Sequence, residues 1–328
     1  MTTLERRRVV QLGAAGIAGA TAGPFAPPAA RAAAPQSPGF YRFGVGAFEA
    51  TILNDGYFEL PGDSFAVNAP AEERRAFYEA RAMPLDKVRH QASPILINTG
   101  QRLVLIDTGS GPGTAMSPHA GRLGQSLAAA GVAPEAIDVV VLTHAHPDHI
   151  GGLVDQATRA PRFPKAEVAL SEAELGLWTA PDAATRVPGW ATATPSLQLA
   201  QSSLAALRER LRPVRPGADI VTGIQGLHTP GHTPGHLSLL VGPGGSGGER
   251  LLLTGDAVPN IHLAFQHPDW QAIWDHDREQ GAQTRARLLD QMATERFLVA
   301  GYHYPFPGIG RVVRDGGGYH WLPADWAW

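Results

Sequence analysis

No cysteine occurs anywhere in the 328-residue chain, which excludes a disulfide framework, a lipid anchor on cysteine and any thiolate metal ligand. A metal site in this chain has to be built from histidine and carboxylates. Lysine is almost as scarce: Lys87 and Lys165 are the only two, and arginine carries the remaining positive charge. The formal net charge of -3 and pI near 6.5 provide no broad field for a polyanion. Nucleic acid and acidic membrane surfaces are therefore poor partners, and small molecules are better ones. With 44% hydrophobic and 17% charged residues, neither a membrane class nor a disordered class fits. The length suits one large domain or two small ones.

The first residues read as an address. Arg6, Arg7 and Arg8 precede Val9 and Val10, an Ala/Gly-rich run to Ala22 and a Pro/Ala stretch. This resembles a twin-arginine export signal, with Ala30-Arg31-Ala32 as the cleavage site. The apolar run is too short and too rich in glycine for a stable spanning helix. The expected organisation is an export segment over 1–32 and a single domain over 33–328, exported to the periplasm or secreted without a stable membrane anchor.

Along the rest of the chain, short apolar runs alternate with helical patterns. Tyr41 to Leu60 predicts paired strands with turns at Gly46-Ala47 and Asn54-Asp55-Gly56. Ser93 to Asn98 and Leu103 to Asp107 predict a second hairpin, Arg122 to Gly131 a helix, and Ile137 to Leu142 a strand buried on both faces. Ala166 to Leu170 reads as a strand and Leu197 to Leu211 as a helix stopped by Pro213. Later strands are expected at Ile220 to Thr222, His236 to Val241, Leu251 to Thr254 and Phe297 to Ala300, with a polar helix over Asp277 to Thr294 and a flexible tip over Gly242 to Gly248. Strands in both halves with helices between them favour one layered α/β domain.

His144, His146, Asp148 and His149 fall within six residues directly after the buried strand. Pro147 and the Gly151-Gly152 pair keep this stretch from forming one regular helix, so a turn points several side chains into one space. Imidazole nitrogen and carboxylate oxygen suit a borderline divalent ion, and four such groups exceed what one ion with an open position needs. Two divalent ions follow, with zinc the default and Mn2+, Co2+ or Fe2+ compatible with the same donors.

Thr143 to Gly152 matches the THxHxDHxGG motif, and on it the chain resembles the metallo-β-lactamase superfamily. That resemblance implies an αββα four-layer sandwich of two mixed β-sheets flanked by helices. It also implies that Asp107, in Ile-Asp-Thr-Gly, orients the ligand loop. The segment from His228 to His236 matches TPGHTPGH. The resemblance puts His236 on the first metal, with His228 and His232 as structural residues or partners of ligands. Asp256, in Leu-Thr-Gly-Asp, matches the bridging aspartate, and His303 the last histidine. The implied set is His144, His146 and His236 on one metal, Asp148, His149 and His303 on the other, and Asp256 between them.

Two close divalent ions hold a bridging hydroxide near neutral pH and polarise an electrophile, so the expected activity is hydrolysis of an ester, lactone or phosphotriester. Asp256 and Asp148 are the catalytic carboxylates, and family analogy gives Asp148 a proton-shuttle role. The only Gly-x-Ser-x-Gly match, Gly244 to Gly248, sits in the glycine-rich tip, so a covalent route has no obvious carrier. The opening and closing segments resemble the methyl parathion hydrolase and acyl-homoserine lactonase branch. Phe65, Trp178, Phe265 and Phe306 are candidates for a substrate pocket, with core packing as the competing explanation. The rival readings are a class B3-like β-lactamase and an iron-dependent oxygen-chemistry or binding protein on the same fold. A homodimer is compatible with the sequence.

Overall fold

Both faces of the central strands are apolar, and this property sets the layers. Val139 and Val141 pack between two sheets, whereas Val140 turns to a cluster that includes Leu123, Leu127, Leu177 and Leu204 from helices. Leu251 and Leu253 likewise face the opposite sheet, while Leu252 meets Leu288, Leu289 and Met292 of the Arg278–Glu295 helix. Successive strand side chains point to opposite faces. An all-apolar strand therefore needs a covering layer on each side, and each fully buried Val or Leu contributes about 1.5–3 kcal/mol. The expected helix–sheet–sheet–helix sandwich is the result. The computed structural model describes residues 39–242 and 249–325, within a compact unit from Pro38 to Trp328. The 1–32 segment and the Gly-Ser tip over 243–248 lie outside the described residues.

The strands begin with Phe40–Val45 (β1), Phe48–Leu53 (β2), Gly56–Leu60 (β3), Val88–Ala92 (β4), Ile95–Asn98 (β5) and Leu103–Ile106 (β6). Val139–Val141 (β7), Glu167–Ser171 (β8), Leu211–Val214 (β9), Asp219–Val221 (β10) and Ile224–His228 (β11) follow. The last are Leu237–Val241 (β12), Leu251–Leu253 (β13), Leu298–Ala300 (β14), Ile309–Asp315 (β15) and Gly318–Pro323 (β16). One seven-stranded sheet has the order β1-β2-β5-β6-β7-β8-β9 and the other runs from β10 to β16 in sequence order. Strands β6 to β9 are mutually parallel, as are β13 and β14, and the other pairs are antiparallel. The C-terminal ends of β6, β7, β13 and β14 and the start of β12 meet at one edge. There the Leu237 N–H donates to the Thr143 carbonyl at 2.9 Å.

Two expectations need correction. Strand β3 does not pair with β2 but forms a separate ribbon with β4, from Gly56 opposite Ala92 to Leu60 opposite Val88. Asp55 is the reason: fully buried, it accepts from the N–H groups of Ser110, Gly121 and Leu123, which turns the chain out of the first sheet. The expected helix over 197–211 ends at Ala206, and Leu211 already belongs to β9. Pro213 is tolerated there because β9 is an edge strand. Among the described residues no helix is long and apolar enough to cross a membrane.

Candidate metal centre

The first ligand loop leaves β7 and is held at its base by Asp107. Asp107, at the end of β6, accepts from the Thr143 N–H at 2.8 Å and the Thr143 hydroxyl at 2.9 Å, and binds His149 Nδ1 at 2.8 Å. Its φ of +59° costs about 1–3 kcal/mol for a residue other than glycine, and these contacts over-determine it. Pro147 opens a single helical turn, Pro147–Ile150, where its missing N–H costs nothing. Asp148 and His149 thus lie on the turn, and His144 and His146 on the extended stretch before it.

The opposite sheet supplies side chains from three strand ends. Beyond β11, Gly231 has a φ of +125°, and a Cβ there would sit 2.2 Å from the Gly281 nitrogen of the Arg278–Glu295 helix. Only glycine lets the loop approach that closely, and the approach carries His232 inward. Beyond β13, Gly255 (φ +51°) turns the chain so that Asp256 points back across the edge. Beyond β14, His303 Nδ1 bonds the Gln91 carbonyl, which leaves Nε2 facing Asp256 Oδ2 at 3.0 Å.

Three overlapping groups of ligand atoms result: His144, His146 and His232; His144, His149 and Asp256; and Asp148, His149 and His303. Asp256 lies between the two ends. Its Oδ1 is 3.2 Å from His149 Nε2, and its Oδ2 is 3.3 Å from His232 Nε2. Asp148 Oδ2 lies 3.6 Å from His149 Nε2 and 3.5 Å from His303 Nε2. The donors fit divalent cations on a specific ground: His144 Nε2, His149 Nε2 and Asp256 Oδ1 are buried with no hydrogen-bond partner. Orphaned buried lone pairs cost about 1–3 kcal/mol each unless an ion occupies them.

The electrostatics agree. Burial, then the neighbouring His149 and His146, hold His144 well below the ordinary histidine range. Burial opposes charge on His149, but Asp256, Asp107 and Asp148 outweigh it and raise its pKa well above the usual value. His232 is raised in the same way, against burial, by Asp256 and Asp275. Asp256 is held well below the carboxylate range because His303, His149 and His232 overcome the cost of its burial. The carboxylates therefore draw positive charge into the cavity, and a metal ion competes with protons for the same nitrogens.

Of the seven expected ligands the structure brings together six: His144, His146, Asp148, His149, Asp256 and His303. His236 is not among them. Its Nε2 accepts the Asp256 N–H at 2.9 Å and its Nδ1 bonds the Thr229 hydroxyl at 2.8 Å, so both ring nitrogens are committed within the protein. Burial, then His232, lowers its pKa to about 3, which keeps it neutral. His232 occupies the place assigned to His236, and His228 sits on the surface with its Nε2 against the Pro234 carbonyl. In the repeated His-Thr-Pro-Gly-His it is the middle histidine that enters the cluster, because the Gly231 loop is pinned to the helix.

The four aromatic pocket candidates fare differently. Phe265 is fully buried against Tyr304 and Trp321 beneath the second sheet, and Phe306 packs against the core between the sheets. Phe265 is a core residue, and Phe306 is half-buried. Trp178 is also fully buried, donating from Nε1 to Glu174 at 2.7 Å with its ring edge-on to His146. Phe65 touches the ring of His90, which stacks on His303 at 3.7 Å. A cleft of about 620 Å³ beside the cluster is lined by other residues, among them Trp190, Ile273, His276 and Arg278.

Several supporting residues went unnoticed in the sequence. Glu174, fully buried, accepts from Ala145 N–H, Gly235 N–H and Trp178 Nε1, tying both ligand loops to one carboxylate. Asp275 binds His232 Nδ1 at 2.9 Å and is itself paired with buried Arg285 at 3.1 Å. Tyr302 stacks on His149 and donates to the Asp148 carbonyl at 2.6 Å. For Asp275 the available signal was the Asp-His-Asp run before the long helix, whose last member, Asp277, caps that helix.

Comparison with known proteins agrees with this geometry. Residues 88–303 match the family model of the Metallo-beta-lactamase superfamily. Metallo-beta-lactamase domain-containing protein 1 of Xenopus laevis is 30% identical over 219 residues, 66% of this chain and 71% of that protein. Uncharacterized protein YobT of Bacillus subtilis is 30% identical over 156 residues, 46% of this chain and 62% of that protein, so the match spans less than two thirds of YobT. Among solved structures, AidC, a dizinc quorum-quenching lactonase in complex with a product, superposes with a TM-score of 0.79 at 27% identity, covering 88% of this chain and 98% of AidC. The hydrolase AbOPH superposes with a TM-score of 0.81 at 27% identity, covering 89% and 100%. With its sandwich, its His/Asp cluster and these relatives, the chain belongs to the metallo-beta-lactamase superfamily.

Proposed function

We propose that this chain is a dinuclear metal-dependent hydrolase acting on a lactone or a related ester or phosphotriester. One observation carries the reading: Asp256 stands between two histidine groups, and the unpartnered Nε2 atoms of His144 and His149 lie in the same cluster of ligand atoms. His144, His146 and His232 would hold one ion, and Asp148, His149 and His303 the other, with Asp256 shared. When bound, two such ions supply an activated water and a Lewis acid for the scissile oxygen.

The protein's own side chains do the rest. Asp148 is the most open member of the set, its side chain 13% exposed against 7% for Asp256. Its Oδ2 lies toward His149 and His303, and the carboxylate would take the proton from the attacking water. It then returns that proton to the leaving alkoxide as the carbonyl carbon–oxygen bond breaks. Tyr302 holds this carboxylate's backbone in place. The Trp190 and His276 cleft suits an apolar acyl or aryl group. The likeness to AidC, a lactonase with N-hexanoyl-homoserine as its product, favours a lactone over a phosphotriester.

A hydrolysis panel tests the reading. Zinc-loaded protein is offered a long-chain acyl-homoserine lactone, an aryl phosphotriester and a β-lactam. The lactone should be turned over fastest, and the proposal fails if only the β-lactam is hydrolysed.

A further inference from the structure

His276 lies outside the six expected ligands and His232, yet its Nε2 is 3.2 Å from Nε2 of His146. Asp275 Oδ1 only accepts, so His232 Nδ1 carries a hydrogen, and His232 Nε2 lies 2.9 Å from His146 Nδ1. A metal held by His144 Nε2, His146 Nδ1 and His232 Nε2 requires the His146 proton on Nε2.

We propose that His276 is the positioning residue for His146: its Nε2 accepts the His146 Nε2–H and thereby holds His146 in the tautomer that offers Nδ1 to the metal. The inference rests on the metal-centre reading above. His146 is buried, so without this acceptor its Nε2–H would have no partner in the protein. His276 is suited to the task. Its backbone N–H is bonded to the His232 carbonyl at 3.0 Å, and its ring is flanked edge-on by Trp178 and Trp190. Its other nitrogen, Nδ1, is buried without a hydrogen-bond partner. The ligand thus acquires an outer partner, the arrangement that usually raises ligand basicity and metal affinity.

The test is zinc titration of the full chain against a competing chelator, with wild type, His276→Ala, His276→Phe and His276→Gln. The expected result is an affinity loss of about 10–100-fold at one site in the Ala and Phe variants, largely restored by Gln, whose amide oxygen also accepts. Nitrogen-15 histidine spectra of wild type supply a readout independent of any variant's folding. In zinc-loaded protein His146 should carry its proton on Nε2 and His276 on Nδ1. Ala and Phe variants that bind as wild type does, or a zinc-loaded His276 protonated on Nε2, overturn the inference. Wild type that binds no zinc instead overturns the metal-centre reading itself.

Discussion

The two sheets build the cluster in different ways. The first supplies four side chains from one loop, His144 to His149, braced by two carboxylates, Asp107 and Glu174. The second supplies His232, Asp256 and His303 from three separate strand ends, and each depends on its own support: Asp275 with Arg285, the Gly255 turn, and the Gln91 carbonyl. The ligands of the first half are neighbours in sequence, whereas those of the second come together only at the assembled edge. Removing one ligand from either half should release metal, but only in the second half does each ligand have a separate support to lose.

The sharpest form of that contrast lies inside one repeat. His232 and His236 share the same local sequence, but one faces the cavity and the other is bonded to Thr229 and the Asp256 backbone. His232→Ala is expected to lower zinc affinity by at least about 100-fold, beyond what loss of an outer partner costs. His236→Ala should retain both metal equivalents and lose about 1–3 kcal/mol of stability, because the buried Asp256 N–H loses its partner. Chelator competition and chemical denaturation separate the two. Reversed outcomes would return His236 to the ligand set.

A smaller effect tests the shared field. His149 and His232 are held above the ordinary histidine value by Asp256 and the other nearby carboxylates, against burial. Both therefore still carry protons above pH 6.5 in metal-free protein, and zinc has to displace them. The sign follows: apparent zinc affinity should keep rising with pH beyond 6.5, with proton release measurable by calorimetry in two buffers of different ionisation enthalpy. A pH-independent affinity above 6.5 would mean that the carboxylates do not charge these rings.

The same contrast explains what could be read in advance. The four-residue loop cluster was legible because ligand spacing, Pro147 and the glycine pair are local features, and the layered fold was legible because Val139–Val141 and Leu251–Leu253 are apolar on both faces. The choice between His232 and His236 was not. It turns on a backbone approach of Gly231 to a helix fifty residues further along the chain, which spacing within the repeat does not encode. The pocket aromatics show a related ambiguity, since a large apolar ring suits a core as well as a cleft. Phe265 went to the core, while Trp190 reached the cleft.

Metal content tests the central claim most directly. Full-length protein stripped by chelator and reloaded should bind two equivalents of zinc, and Asp256→Asn, which removes the shared carboxylate charge, should bind one or fewer and lose hydrolysis. Wild type holding less than one equivalent, or an Asp256→Asn variant with two equivalents at unchanged affinity, would contradict a centre shared through Asp256.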